Sequence, residues 1–176
     1  MRNFIVLNGK YDSGNAIVTI QAGARGKEPE EWVTILTRMY IRWAEINCYE
    51  QQLIEEVRGE DGIGLRKVVF SISGPDVYGY LRVESGVHRL TRKSPHDRKG
   101  RRHTSFALVS VMPQNPDKGE KIPEWVEQVR SYIFHPYFQV KDLKTGLIGE
   151  DPYRVIDGFI QDFIDLRLLE GGNNYG

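Results

Sequence analysis

Residues 86–112 read GVHRLTRKSPHDRKGRRHTSFALVSVM, and the fold depends on how that stretch divides. Its flanks, Gly86 to Lys93 and Thr104 to Met112, have the composition and alternation of two strands. Ser94 to Phe106 between them is polar and cationic. Lys93, Arg98, Lys99, Arg101 and Arg102 crowd a loop whose only acid is Asp97. Pro95 sets a turn, Ser94, Thr104 and Ser105 add short hydroxyls, and His96 and His103 add two imidazoles. Guanidiniums suit phosphates, an imidazole stacks on a base and hydroxyls read base edges, so this loop is a candidate RNA contact.

Working outward from that hairpin, Leu65 to Ser73 is a strand with Val68, Phe70 and Ile72 on one face and Val69 on the other. The turn Gly74-Pro75-Asp76 then opens a short helix with Tyr78, Tyr80 and Leu81 on its apolar side. Cys48 to Val57 is a further strand, closed by Gly59-Glu60-Asp61-Gly62. Asn15 to Ala22 alternates with period two and stops at Gly23-Ala24-Arg25-Gly26. From Glu28 the period changes: Trp32, Ile35, Leu36, Met39, Tyr40 and Trp43 form one helical stripe, with Pro29 and three acids in the first turn. The residues before Asn15 are a short strand or a packed arm.

On the C-terminal side, 113–123 (PQNPDKGEKIP) is aperiodic and polar, a linker or surface crossing. Residues 124–176 are expected to be a helical region packed on the first part, and Lys141 to Gly146 a turn within it. Asp151-Pro152 caps a helix with the stripe Val155, Ile156, Phe159, Ile160, Phe163, Ile164 and Leu168, stopped at Gly171-Gly172, and Gly158 is a candidate break. The expected fold is α+β: an antiparallel sheet of about five strands with helices packed on one face. A first α+β unit (1–112), a short linker (113–123) and the C-terminal region (124–176) are expected to form one compact body.

Composition narrows the function classes. Twenty-four basic residues balance 24 acidic ones, so nucleic-acid affinity must come from charge segregation, which the loop supplies. A mean hydropathy of −0.46 fits a soluble protein. With one cysteine, Cys48, an internal disulfide and a multi-cysteine zinc site are excluded, which suits a reducing cytosol. No apolar run approaches the roughly 20 residues of a membrane span. His96 and His103 have no carboxylate or cysteine at ligand spacing, so no metal and no cofactor is expected. Ser94, His96 and Asp97 are triad residue types on one short loop and do not converge as a triad. Gly23 to Lys27 is too short for a phosphate loop, although the amides at Gly26 to Glu28 suit one phosphate. Trp32, Tyr40 and Trp43 are core, and Glu84 and His88 are equally placed to be structural or functional.

Four blocks carry a family resemblance. QAGARGKEPEEWVTILTRMYIRWAE (21–45), YGYLRVESGVHRLTRKSPHDRKGRRHTSFALVSVMP (78–113), VRSYIFHPYFQVKDLKTGL (129–147) and VIDGFIQDFI (155–164) closely resemble bacterial class I peptide chain release factor 2. The resemblance begins near Leu7 and covers nearly the whole chain. It implies a decoding domain that reads UGA and UAA in the ribosomal A site for the first two blocks, and a region packed beside it for the last two. The family's hydrolytic Gly-Gly-Gln tripeptide sits on a separate domain, where this chain has 113–123, and no Gly-Gly-Gln occurs here. With no counterpart of the family's helical N-terminal domain either, and with a starting methionine, the chain is expected to be a shortened paralogue.

By the same resemblance, the stop-codon tripeptide Ser-Pro-Phe falls on Ser94, Pro95 and His96, with the third position changed. The base-stacking histidine and the threonine that reads the third base fall on His103 and Thr104. The family's Gly-Gly edge at the helix start, followed by glutamate, falls on Arg25, Gly26 and Glu28. Arg25 replaces a glycine that lets backbone approach a base, so stop-codon reading in the family's manner is not expected. The expectation is a non-enzymatic protein of the cytoplasm, or of an organelle stroma or matrix. It would bind the ribosome through ribosomal and messenger RNA, with Arg98, Lys99, Arg101 and Arg102 on phosphates. Two alternatives stay open: a split release factor acting with a separate Gly-Gly-Gln chain, and a repurposed messenger-RNA-binding protein.

Overall fold

Ala16, Val18 and Ile20 are fully buried in β1 (Ala16–Ala22) while the residues between them are not, the mark of a strand with one face on a core. The computed structural model of the chain describes residues 5–116 and 127–172. Covering that face, α1 (Lys27–Ile46) buries Trp32, Val33, Leu36, Met39, Tyr40 and Trp43. Its N-cap, Gly26, has φ 128°, a conformation that favours glycine and turns the chain sharply from β1 into the helix. β2 (Glu50–Arg58), β3 (Leu65–Ser73), the short α2 (Val77–Leu81), β4 (Gly86–Lys93) and β5 (Arg102–Pro113) follow. In β3, Val68, Phe70 and Ile72 face the core, as their spacing implies.

One sheet has eight strands in the order β2-β3-β1-β5-β4-β6-β7-β8, not about five. The additional strands, β6 (Gln128–Ile133), β7 (Gln139–Asp142) and β8 (Ile148–Gly149), lie in the stretch expected to be helical. Their signal was masked for two reasons. β6 is covered on both faces and places the charged Arg130 among its buried residues, which erases the alternation, while β7 and β8 are too short to show a period. β6 joins β4 in parallel, the one parallel pair among the described residues. Such a pair needs a crossover connection. That crossover contains most of the linker expected at 113–123: Pro113 ends β5, and 117–123 fall outside the described residues, as do Trp125 and Val126.

α3 (Pro152–Ile156) and α4 (Gln161–Gly172) pack on the same face as α1. Asp151 caps α3 by accepting from the Arg154 amide. The break between the helices falls at Gly158, with φ 104°; a Cβ there would stand 2.7 Å from the Arg42 Cβ and 2.8 Å from the Trp43 nitrogen. Only glycine lets that corner close on α1. No helix among the described residues is long and apolar enough to cross a membrane.

Under the sheet's C-terminal half lies a buried polar chain. Arg130 of β6 donates to both oxygens of Glu84, at 2.8 and 2.7 Å, and to the Tyr132 hydroxyl at 3.0 Å. Tyr40 also donates to Glu84, at 3.1 Å. Arg167 of α4 donates to Asp142 at 2.6 Å and to the Val129 carbonyl at 2.9 Å. His88 Nε2 donates to the Glu84 carbonyl and its Nδ1 accepts from Tyr132, both at 2.9 Å, so the ring is neutral and both nitrogens are used.

Burial pushes His88 down to about 4 from its ordinary 6.5, with nearby Glu84 opposing and Arg130 reinforcing the shift. The unfolded chain therefore takes up a proton below 6.5 that the folded chain refuses. Stability is full above 6.5 and falls as pH drops toward 4, by on the order of 3 kcal/mol over that window. Urea midpoints at pH 7 and about pH 5 measure the slope. A His88→Gln variant should show a shallower one; an unchanged slope would assign the effect to other groups.

Candidate nucleic-acid interface

β4 and β5 pair through Lys93 and Arg102, so the connecting loop is 94–101, and Arg102 and His103 belong to β5. The loop is anchored on the first turn of α1. Glu28, 7% exposed, accepts from Arg92 Nε at 2.6 Å and Nη2 at 3.0 Å, and from the Ser94 hydroxyl at 2.8 Å. Ser94 in turn accepts from the His96 amide at 3.1 Å. One helical turn on, Glu31 pairs with Arg92 at 3.2 Å and with His96 Nε2. The acids that suit the positive end of α1 thus also hold the start of the loop.

The far side of the loop is closed by Asp97. Its carboxylate accepts from His103 Nε2 and Arg101 Nε, both at 2.8 Å, and from the Lys99 amide at 2.9 Å. The His103 hydrogen bond, then those of Arg101 and the Lys99 amide, hold Asp97 well below the usual carboxylate range. It stays ionised at any physiological pH.

These ties sort the candidate residues. Ser94 and Glu28 are buried and directed at each other, so they set the loop's position. Pro95 is exposed beside them. His96 is occupied by Glu31, and Arg101 and His103 by Asp97, although the His103 side chain remains 41% exposed and free to stack on one face. Arg98, Lys99 and Arg102 are exposed, and none makes a side-chain hydrogen bond or ion pair among the described residues. Thr104 is exposed and, being adjacent to His103 in a strand, points to the opposite face of the sheet. Gly26 lies at the start of α1, near the anchored loop, and its amide is directed toward Glu30 at 3.4 Å. Arg25 is turned toward the β2–β3 turn, 3.8 Å from Glu60, with both side chains about 80% exposed. Glu31 and Arg92, which share the anchoring with Glu28, were not singled out from sequence. Only the positions of the acids within a helical turn hinted at them. Among the described residues no three His, Cys, Asp or Glu side chains are grouped to hold a metal.

Glu28 offers a test of the anchor. Burial raises its carboxyl, but the Arg92 and Ser94 hydrogen bonds and the Arg92 charge outweigh that and leave it below 4.5. Its stabilisation is therefore present above 4.5 and lost as pH falls through the lower folded value. Glu28→Gln should cost about 1.5–3 kcal/mol, the range for hydrogen bonds to a charged group, and speed exchange of the His96 amide. Hydrogen exchange at the parent rate would show that the loop is held otherwise.

The PCRF domain matches residues 1–109. The chain belongs to the peptide chain release factor family. Within it, the similar proteins are release factors 2: that of Kosmotoga olearia is 33% identical over 248 residues, covering 94% of this chain and 67% of its own length. The one from Helicobacter acinonychis is 49% identical over 113 residues, 64% of this chain and 31% of its own. Among solved structures, RF2 of Thermus thermophilus superposes with a TM-score of 0.81 at 28% identity, over 94% of this chain and 71% of that one. The span aligned with the Kosmotoga protein, 248 residues, exceeds the 176 residues present here, so that relative carries an internal segment without a counterpart.

Proposed function

We propose that the chain is a non-catalytic release-factor-like protein that docks its β4–β5 loop on RNA of the ribosomal decoding site and modulates translation termination. The observation that carries this reading is the construction of the loop. Its two ends are tied by Glu28, Glu31 and Asp97, while Arg98, Lys99 and Arg102 project with no partner among the described residues. A rigid loop that presents unpaired cations loses little entropy on meeting phosphate, and His103 keeps one ring face for a base. Family membership supports the ribosome as partner, in the cytoplasm or in an organelle stroma or matrix.

Support for the non-catalytic half comes from the sequence. No Gly-Gly-Gln is present, and the internal segment of the Kosmotoga relative is missing. A release assay on ribosomes carrying peptidyl-tRNA at a stop codon tests both halves together. Added alone, the chain should release no peptide and should slow release by an authentic release factor. Release by the chain alone would overturn the reading. Release only on mixing with a chain bearing Gly-Gly-Gln would make it a subunit of a split factor instead.

A further inference from the structure

The face of the sheet turned away from the helices carries a second set of cations. Along β4, His88, Leu90 and Arg92 face α1, so Arg89, Thr91 and Lys93 face the other way. On β5 the register sets Phe106 opposite Arg89, Thr104 opposite Thr91 and Arg102 opposite Lys93. On the other side Ser131 of β6 pairs with Arg89, and Lys141 of β7 pairs with Ser131. No acidic residue stands on this face of β4, β5, β6 or β7.

Three polar groups there lack partners. The Arg89 Nε, the Thr91 hydroxyl and the Ser131 hydroxyl are buried without a hydrogen bond among the described residues, and Thr91 and Ser131 are only 7% and 6% exposed. These atoms are closed to solvent, so what the face offers a ligand is its row of unpaired cations. Phosphate oxygens suit that row, since they pair with a guanidinium and with an ammonium. Beside Arg89, Phe106 is 42% exposed. An open aromatic flanked by cations on a sheet is a stacking platform for an unpaired base, which favours RNA over an acidic peptide.

We infer that this face binds an unpaired RNA segment, with Arg89 at one phosphate, Lys141 at another and Phe106 beneath a base. Lys93 and Arg102 link the face to the loop, so one strand can run from loop tip onto sheet. The inference rests on the RNA-contact reading of the loop and adds a second surface to it.

Titration of a labelled oligouridine over a range of salt tests it, with poly-glutamate as the competing polyanion. Arg89→Gln/Lys141→Gln should weaken oligouridine binding about tenfold and flatten the salt slope by about 1.4, at 0.7 per phosphate contact. Lys141→Gln alone, at an exposed position, should flatten it by about half as much and guards against misfolding of the double variant. Phe106→Ala should weaken binding with the slope unchanged. Parental slopes in both cation variants, with binding still weakened by Arg98→Gln/Lys99→Gln, would overturn the second surface and leave the loop reading intact. Failure of the parent to bind oligouridine would overturn both. Preference of the parent for poly-glutamate, lost in the face variants, would replace RNA by an acidic protein.

Discussion

Arg130→Met should lower stability by about 3–5 kcal/mol, the largest effect expected of any single change discussed. Arg130 and Glu84 are both fully buried, and removing the guanidinium strands the Glu84 carboxylate with the Tyr40 hydroxyl as its remaining side-chain partner. Burial works against ionising Glu84, and the Arg130 charge and hydrogen bonds more than offset it, holding its carboxyl below the ordinary value. Without Arg130 that offset is gone. The double variant Arg130→Met/Glu84→Met should recover a large part of the loss, because well-packed apolar side chains replace a buried pair at little cost. Urea denaturation of the two variants decides. A single variant within about 1 kcal/mol of the parent would mean that water or neighbouring groups already solvate the pair.

Arg98→Gln/Lys99→Gln/Arg102→Gln should weaken ribosome or RNA binding about a hundredfold near physiological salt and flatten the salt slope by about 2–3. All three side chains are exposed and make no hydrogen bond or ion pair among the described residues, so thermal stability should stay at the parent value. The loop keeps its shape through Asp97, His103 and the Glu28 anchor. Binding that is equally strong and equally salt-dependent in this variant would remove the loop from the interface.

What the sequence disclosed, and what it withheld, follows from the range of the interactions involved. The stripe of Trp32, Leu36, Met39 and Trp43 and the alternation of Ala16, Val18 and Ile20 are local patterns, and the structure has α1 and β1 where they place them. The β4–β5 hairpin was legible for the same reason, but its tip was drawn too wide. Arg102 and His103 look like loop residues by charge, and cross-strand pairing makes them strand. β6 was hidden because its Arg130 is buried through a partner 46 residues away, and no local period encodes that. Likewise Glu28 was visible as an acid at a helix start, while its work as an anchor depends on Arg92, 64 residues distant. Asp97 stood out as the loop's lone acid, and its part in gathering His103 and Arg101 required the folded hairpin.

Chemical footprinting of ribosomal RNA, on ribosomes programmed with a stop codon and with a sense codon as control, tests the central claim most directly. The parent chain should protect decoding-site nucleotides, and to a comparable degree on both, because His96 is held by Glu31 and Arg25 is turned toward Glu60 rather than toward a base. The Arg98→Gln/Lys99→Gln/Arg102→Gln variant should leave the same nucleotides open. Absence of protection by the parent, or equal protection by the variant, would contradict the assignment of the loop to the decoding site.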